Sequence, residues 1–123
     1  MLTQWGMVAI GGAIGAVLRF YISETFPSEA FPWATLSVNL IGSVLLGALT
    51  AFAAANLVSE TTALLLGAGV LGAFTTMSTF SVETAMLIDE ERWVTVIGYV
   101  AATAVIGPLL ALASWKGTQH LVG

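Results

Sequence analysis

The strongest constraint on this chain is where its charges are absent. Residues 1–18, 30–59, 61–82 and 93–115 contain no Asp, Glu, Lys or Arg. A helix needs about 20 mostly apolar residues to cross the hydrocarbon of a bilayer, so four uncharged stretches of this size specify four membrane spans. They are predicted at about 2–22, 33–55, 61–88 and 93–115, and the chain 1–123 reads as a single all-α transmembrane domain. A soluble enzyme is excluded by composition. Apolar residues make up 58% of the chain, charged residues only 8%, and the mean hydropathy is +0.97, whereas a soluble domain carries roughly 25% charge. Disorder requires low hydrophobicity. A net charge of −4, with Arg19, Arg92 and Lys116 as the only cations, excludes a nucleic-acid surface. There is no cysteine, and no nucleophile–base pair or metal-ligand cluster of side chains, so the chain does not read as an enzyme.

The connecting segments hold the breakers and most of the carboxylates. Glu24, Pro27, Glu29 and Pro32 fall in the first loop, Asn56 to Glu60 in the second, and Asp89-Glu90-Glu91-Arg92 form an acidic turn. Lys116 is expected to end span four. Trp5, Trp33, Trp93 and Trp115 sit near predicted span ends, where indoles favour the interface. The N-terminus lacks the basic region of a signal peptide. Orientation should follow the Lys/Arg bias of the short loops, but Arg19 and Arg92 fall on one side and Lys116 on the other. Two readings stand: an acidic chain has few cations to count, or it inserts both ways and pairs with an inverted copy.

Within the spans, Gly11/Gly15 and Gly12/Ala16 are small residues four apart and read as close helix packing. Arg19, one turn on, either snorkels to the interface or lines an aqueous vestibule. Thr35, Asn39, Ser43 and Gly47 form a polar stripe in span two; Thr95, Tyr99, Thr103 and Gly107 repeat it in span four. Interhelical hydrogen bonding is one reading of such stripes, a polar route the other, and two stripes in one small protein favour the route. Glu83 is the only candidate for a titratable group at depth and is placed nearer the interface; His120, in the tail, is given no role. In span three, Gly67, Gly69 and Gly72 precede five hydroxyl residues among the seven from Thr75 to Ser81. Such a run competes with regular helix. Either the helix breaks there and frees carbonyls that could hold an alkali cation, or it continues with its hydroxyls bonded back to the backbone.

Three segments then resemble one family, the CrcB/Fluc fluoride channels. They are Gly11-Gly12-Ala13-Ile14-Gly15-Ala16-Val17-Leu18-Arg19-Phe20, Thr35-Leu36-Ser37-Val38-Asn39-Leu40-Ile41-Gly42 and Gly72-Ala73-Phe74-Thr75-Thr76-Met77-Ser78-Thr79-Phe80-Ser81. The resemblance implies passive fluoride export across the cell membrane by an antiparallel, dual-topology dimer of four-helix subunits, each with a broken third helix. It further implies one structural sodium ion at the two-fold axis, bound by the backbone carbonyls of Gly72 and Thr75 and not transported. Two pores along the subunit interface would be lined by Phe80, Met77, Asn39, Thr35, Tyr99 and Thr103, with Arg19 in the vestibule. The chain departs from the family at Met77, where phenylalanine is usual, and at Ala73, where glycine is common. Methionine lacks the positive ring edge that can stabilise an anion, so a heterodimer with a related chain supplying the phenylalanine stands beside the homodimer. Two other functions compete. A small multidrug-type antiporter needs a carboxylate within span one, and none is there. A non-transporting accessory subunit would use the stripes for packing alone.

Overall fold

The computed structural model describes all residues from Met1 to Gly123, and every element is helical. Four helices are long and apolar enough to cross a membrane: Leu2–Thr25, Trp33–Ala54, Glu60–Asp89 and Trp93–Val122. They are called here the first to fourth spans. Pro32, with no N–H to give, stands just before the second span, and Ser59 starts the third by accepting a hydrogen bond from the Thr62 N–H. The second and third turns each use a residue with left-handed backbone, Asn56 (φ 58°) and Glu91 (φ 56°). Arg92 ties the first loop to the acidic turn by donating to the carbonyls of Glu29 and Ala30, and it pairs with Glu90 at 3.5 Å.

Two predicted ends move. The first helix runs past Ile22 to Thr25, and the fourth does not stop at Lys116 but continues to Val122. A cation near a helix C-terminus is favourable and has no power to stop it; the Lys116 ammonium lies over the Trp115 ring, 4.5 Å from its centre. The third span breaks where the hydroxyl run begins. Its first half covers 60–74 and its second Met77–Asp89, while Thr75 (ψ 158°) and Thr76 (φ −151°, ψ 122°) between them are extended. The sequence did not signal two stretches of wider π-turn, Leu64–Leu71 in the third span and Ala102–Ile106 in the fourth.

Packing follows the small residues. The first span lies against the first half of the third, the second span against the C-terminal half of the fourth, and the second half of the third against the start of the fourth. A Cβ at Gly11 would strike the Leu65 carbonyl, and one at Gly15 the Val70 carbonyl, so these backbones touch and only glycine serves. The buried core is small: Leu36, Leu87, Val96 and Tyr99, with Phe31, Leu40 and Phe80 against it. Large apolar side chains such as Leu2, Val17, Phe20, Val94 and Ile97 point outward, each more than half exposed. In water that surface would be costly; in hydrocarbon it is the natural exterior. The chain is a multi-pass membrane protein.

Candidate functional site

A helix end leaves backbone groups without partners, and inside a membrane each needs one or carries a cost. The break at Thr75–Thr76 creates two such ends facing one another. Side chains from three spans answer them. The Thr75 N–H and hydroxyl both donate to the Leu71 carbonyl, at 3.1 and 3.0 Å. Arg19 reaches in from the first span and its Nε donates to the Ala73 carbonyl at 3.0 Å. Asn39, from the second span, holds Thr76 at two points: Nδ2 donates to the Thr76 carbonyl at 3.1 Å and Oδ1 accepts from its N–H at 2.8 Å. A primary amide carries the same donor and acceptor as a peptide, so Asn39 pairs with the extended residue as a neighbouring strand would. The Thr76 hydroxyl accepts from the Thr79 N–H and caps the second half-helix. Gly42 makes room for the clamp, since a Cβ there would overlap the Thr75 methyl.

Two carbonyls at the break, those of Gly72 and Thr75, are left without the donor a continuous helix would give them. The Gly72 carbonyl loses its donor because the Thr76 N–H is taken by Asn39. The Thr75 carbonyl loses its donor because the Thr79 N–H is taken by Thr76. Bare carbonyl oxygens are hard ligands suited to a hard cation.

The residues singled out from the sequence fall into three groups. Asn39, Gly72, Thr75, Met77 and Thr103 line one open groove of about 370 Å³ beside the break, with Ser43 and Thr76. Met77 is 71% exposed at its edge. Thr35 and Arg19 line a separate cavity of about 40 Å³, with Ser23, Thr76 and Thr79. Phe80 and Tyr99 lie in neither and pack edge to face at 5.0 Å in the core, with Phe31 on the other side of Tyr99 at 5.6 Å. Tyr99 is fully buried, and its hydroxyl donates to Glu83 Oε1 at 3.0 Å. Glu83 therefore belongs to the interior network, which its distance from the span centre did not suggest; a buried phenol sixteen residues away gives no local sequence signal. Arg19 turns inward onto the break, a contact across 54 residues that spacing along one helix cannot reveal. Thr103 Oγ1 is the one buried side-chain polar atom with no partner. His120 is exposed in the last turn of the fourth span.

Residues 6–115 match the family model described as CrcB-like protein, Camphor Resistance (CrcB). The chain is similar to a protein of Idiomarina loihiensis named "Fluoride-specific ion channel FluC", 48% identical over 109 residues that cover 86% of this chain and 84% of the relative. A protein of the same name from Novosphingobium aromaticivorans is 42% identical over 111 residues, 86% of this chain and 88% of the relative. "Fluoride-specific ion channel FluC 1" of Halobacterium salinarum is 42% identical over 109 residues, 89% of this chain and 88% of the relative.

Proposed function

The chain belongs to the CrcB family, and from that premise we propose that it is a channel for fluoride. It carries fluoride passively out of the cytoplasm: HF enters uncharged, dissociates inside, and the anion leaves down its electrochemical gradient. The observation that carries the proposal is the clamped break in the third span. A protein that only needed four helices would have no use for two extended residues whose exposed groups are answered from the first and second spans. The polar side chains along the path are hydroxyls and an amide rather than carboxylates, which suits a small, strongly hydrated anion. The only carboxylate of the first span is Glu24, at its end, and this removes the basis for a proton-coupled antiporter.

The proposed assembly is an antiparallel dimer in which two such breaks meet. The bare carbonyls of Gly72 and Thr75 fit a sodium ion by donor type. When bound, sodium supplies positive charge that offsets the unpaired carbonyl dipoles of the facing breaks. The chain's own groups do the rest. Asn39 fixes the Thr76 backbone, Arg19 holds the Ala73 carbonyl and lends positive potential to the small cavity, and Thr35 and Thr103 offer hydroxyls. Phe80 lines neither cavity of the single subunit; its place on the path belongs to the proposed dimer, where a positive ring edge would face the anion. Met77 stands at the groove edge without such an edge.

Fluoride and chloride efflux from liposomes holding the purified chain tests this, with and without sodium. Fluoride should leave rapidly, chloride should not, and sodium removal should slow the flux. Equal chloride flux overturns the assignment, and no flux from the lone chain favours an obligate partner or an accessory role.

A further inference from the structure

We propose that Arg92 is a positioning residue for conduction: its guanidinium pins the first loop so that the Phe31 ring holds Tyr99 against Phe80. The inference rests on the fluoride-channel reading above, in which Tyr99 and Phe80 belong to the anion path.

The first loop has little else to hold it. It joins the first span, ending at Thr25, to the second, starting at Trp33. Residues 26–30 are all exposed, and only Phe31 and Pro32 turn inward. The loop's other hydrogen bonds are local. The Phe26 N–H donates to the Ile22 carbonyl at 3.0 Å, the Ser28 hydroxyl to the Phe26 carbonyl at 3.4 Å and the Trp33 N–H to the Phe31 carbonyl at 2.8 Å. The only hydrogen bonds that tie residues 26–31 to a distant part of the chain come from Arg92. Its Nη1 donates to the Glu29 carbonyl at 3.4 Å and its Nη2 to the Ala30 carbonyl. A guanidinium is a rigid planar fork, so one side chain fixes two successive peptides. The residue that follows them is Phe31.

The acidic turn aims that side chain. At the end of the third span the Glu91 N–H donates to the Ile88 carbonyl and the Arg92 N–H to the Leu87 carbonyl, at 2.9 and 3.0 Å. With Glu91 left-handed, this is the pairing by which a helix closes on a left-handed residue. It delivers Arg92 to the head of the fourth span. Glu90 Oε2 stands 3.5 Å from the same Nη1 that donates to Glu29.

From Phe31 the contact passes inward. Its ring meets Trp33 at 4.5 Å and Tyr99 edge to face at 5.6 Å and 76°. Tyr99, fully buried, meets Phe80 edge to face in turn, at 5.0 Å and 68°. Such pairs are directional, so the tilt of each ring constrains the next. The Tyr99 hydroxyl is held by Glu83, which fixes the end of the phenol and leaves the tilt of its plane to the rings beside it. Without the Arg92 donors the loop keeps its covalent ends but loses its only distant anchor. Phe31 is then free to swing, and Tyr99 to turn from Phe80.

Fluoride efflux from liposomes tests this as a double-mutant cycle between Arg92 and Phe31. Arg92→Ala and Arg92→Met both remove the donors; whichever elutes from a sizing column as the wild type does is carried forward. If neither does, Arg92 serves folding and the inference falls. The Arg92 change and Phe31→Leu should each lower efflux about tenfold, within the range of couplings in one contact network. In the Phe31→Leu background the Arg92 change should lower it no further. A second readout follows the loop itself. With Trp5→Phe, Trp93→Phe and Trp115→Phe, Trp33 is the only indole left. Loss of the Arg92 donors should then increase acrylamide quenching of its fluorescence, because Phe31 leaves its side. Unchanged efflux, equal losses in both backgrounds, or quenching that does not move overturn the positioning role and leave the channel intact. A wild-type chain that passes no fluoride overturns the channel reading, and the role in conduction with it, whatever the quenching shows.

Discussion

The third and fourth spans are both interrupted, the third by two extended residues at Thr75 and Thr76, the fourth by a wide turn over Ala102–Ile106. In the third, the backbone separates fully, and side chains from the first and second spans converge to hold the ends. In the fourth, the helix stays continuous, and the Thr103 hydroxyl within the wide turn has no partner. The first interruption is held by contacts reaching across 54 and 37 residues and should be costly to disturb. The second is local, a wide turn closed within its own helix by the Gly107 N–H on the Ala102 carbonyl. The same lipid solvent, intolerant of free backbone groups, permits both because each is buried or faces a groove.

The comparison breaks most sharply at Asn39. Asn39→Leu keeps the branched shape, though in a larger volume, and removes both arms of the clamp, leaving the Thr76 N–H and carbonyl unpaired. Each unpaired group costs about 1–3 kcal/mol, so the loss should be several kcal/mol, read as a lower unfolding midpoint in detergent, with fluoride flux abolished. A variant that melts with the wild type would show that the break holds itself. Arg19→Leu comes next. It removes one charge-assisted hydrogen bond to the Ala73 carbonyl, worth about 1.5–3 kcal/mol. The midpoint should fall by less than for Asn39→Leu; if Arg19→Leu falls further, the two anchors have been ranked wrongly. For Thr103→Val the expectation reverses. The hydroxyl is buried with no partner to lose, so the unfolding midpoint should stay at or above that of the wild type while flux falls. A large destabilisation would mean that Thr103 is bonded within the fold after all.

The sequence made one interruption visible and hid the other, for a physical reason. Five hydroxyls crowded behind glycines, from Thr75 to Ser81, compete with the helix for backbone groups, and that competition is local enough to read. The four spans were equally plain because charge avoids hydrocarbon whatever the tertiary contacts. The wide turn at Ala102–Ile106 precedes a proline, from which a kink, a break or a π-turn can equally begin, and the longer wide stretch at Leu64–Leu71 has no proline at all. Side-chain partners were hidden altogether. The stripe of Thr35, Asn39 and Ser43 marked a polar face, but whether Asn39 meets water, an ion or the Thr76 peptide is decided by a strand-like geometry that exists only after the third span breaks. Tyr99 shared a stripe with Thr103, yet the fold sends one into the core against Glu83 and the other to the groove.

The smallest expected effect sharpens the comparison from the groove's edge. Met77 begins the second half of the third span, immediately after the clamp, and 71% of it is exposed. A side chain so free of neighbours within the chain can be enlarged without moving Asn39 or Thr76, so Met77→Phe should melt with the wild type. A phenyl ring would add a positive edge where methionine offers only a polarizable thioether. Liposome efflux of fluoride should therefore be equal or faster. A large loss would mean that the methionine is fitted to a surface on a partner chain, and that the groove's edge is as tightly constrained as the break behind it.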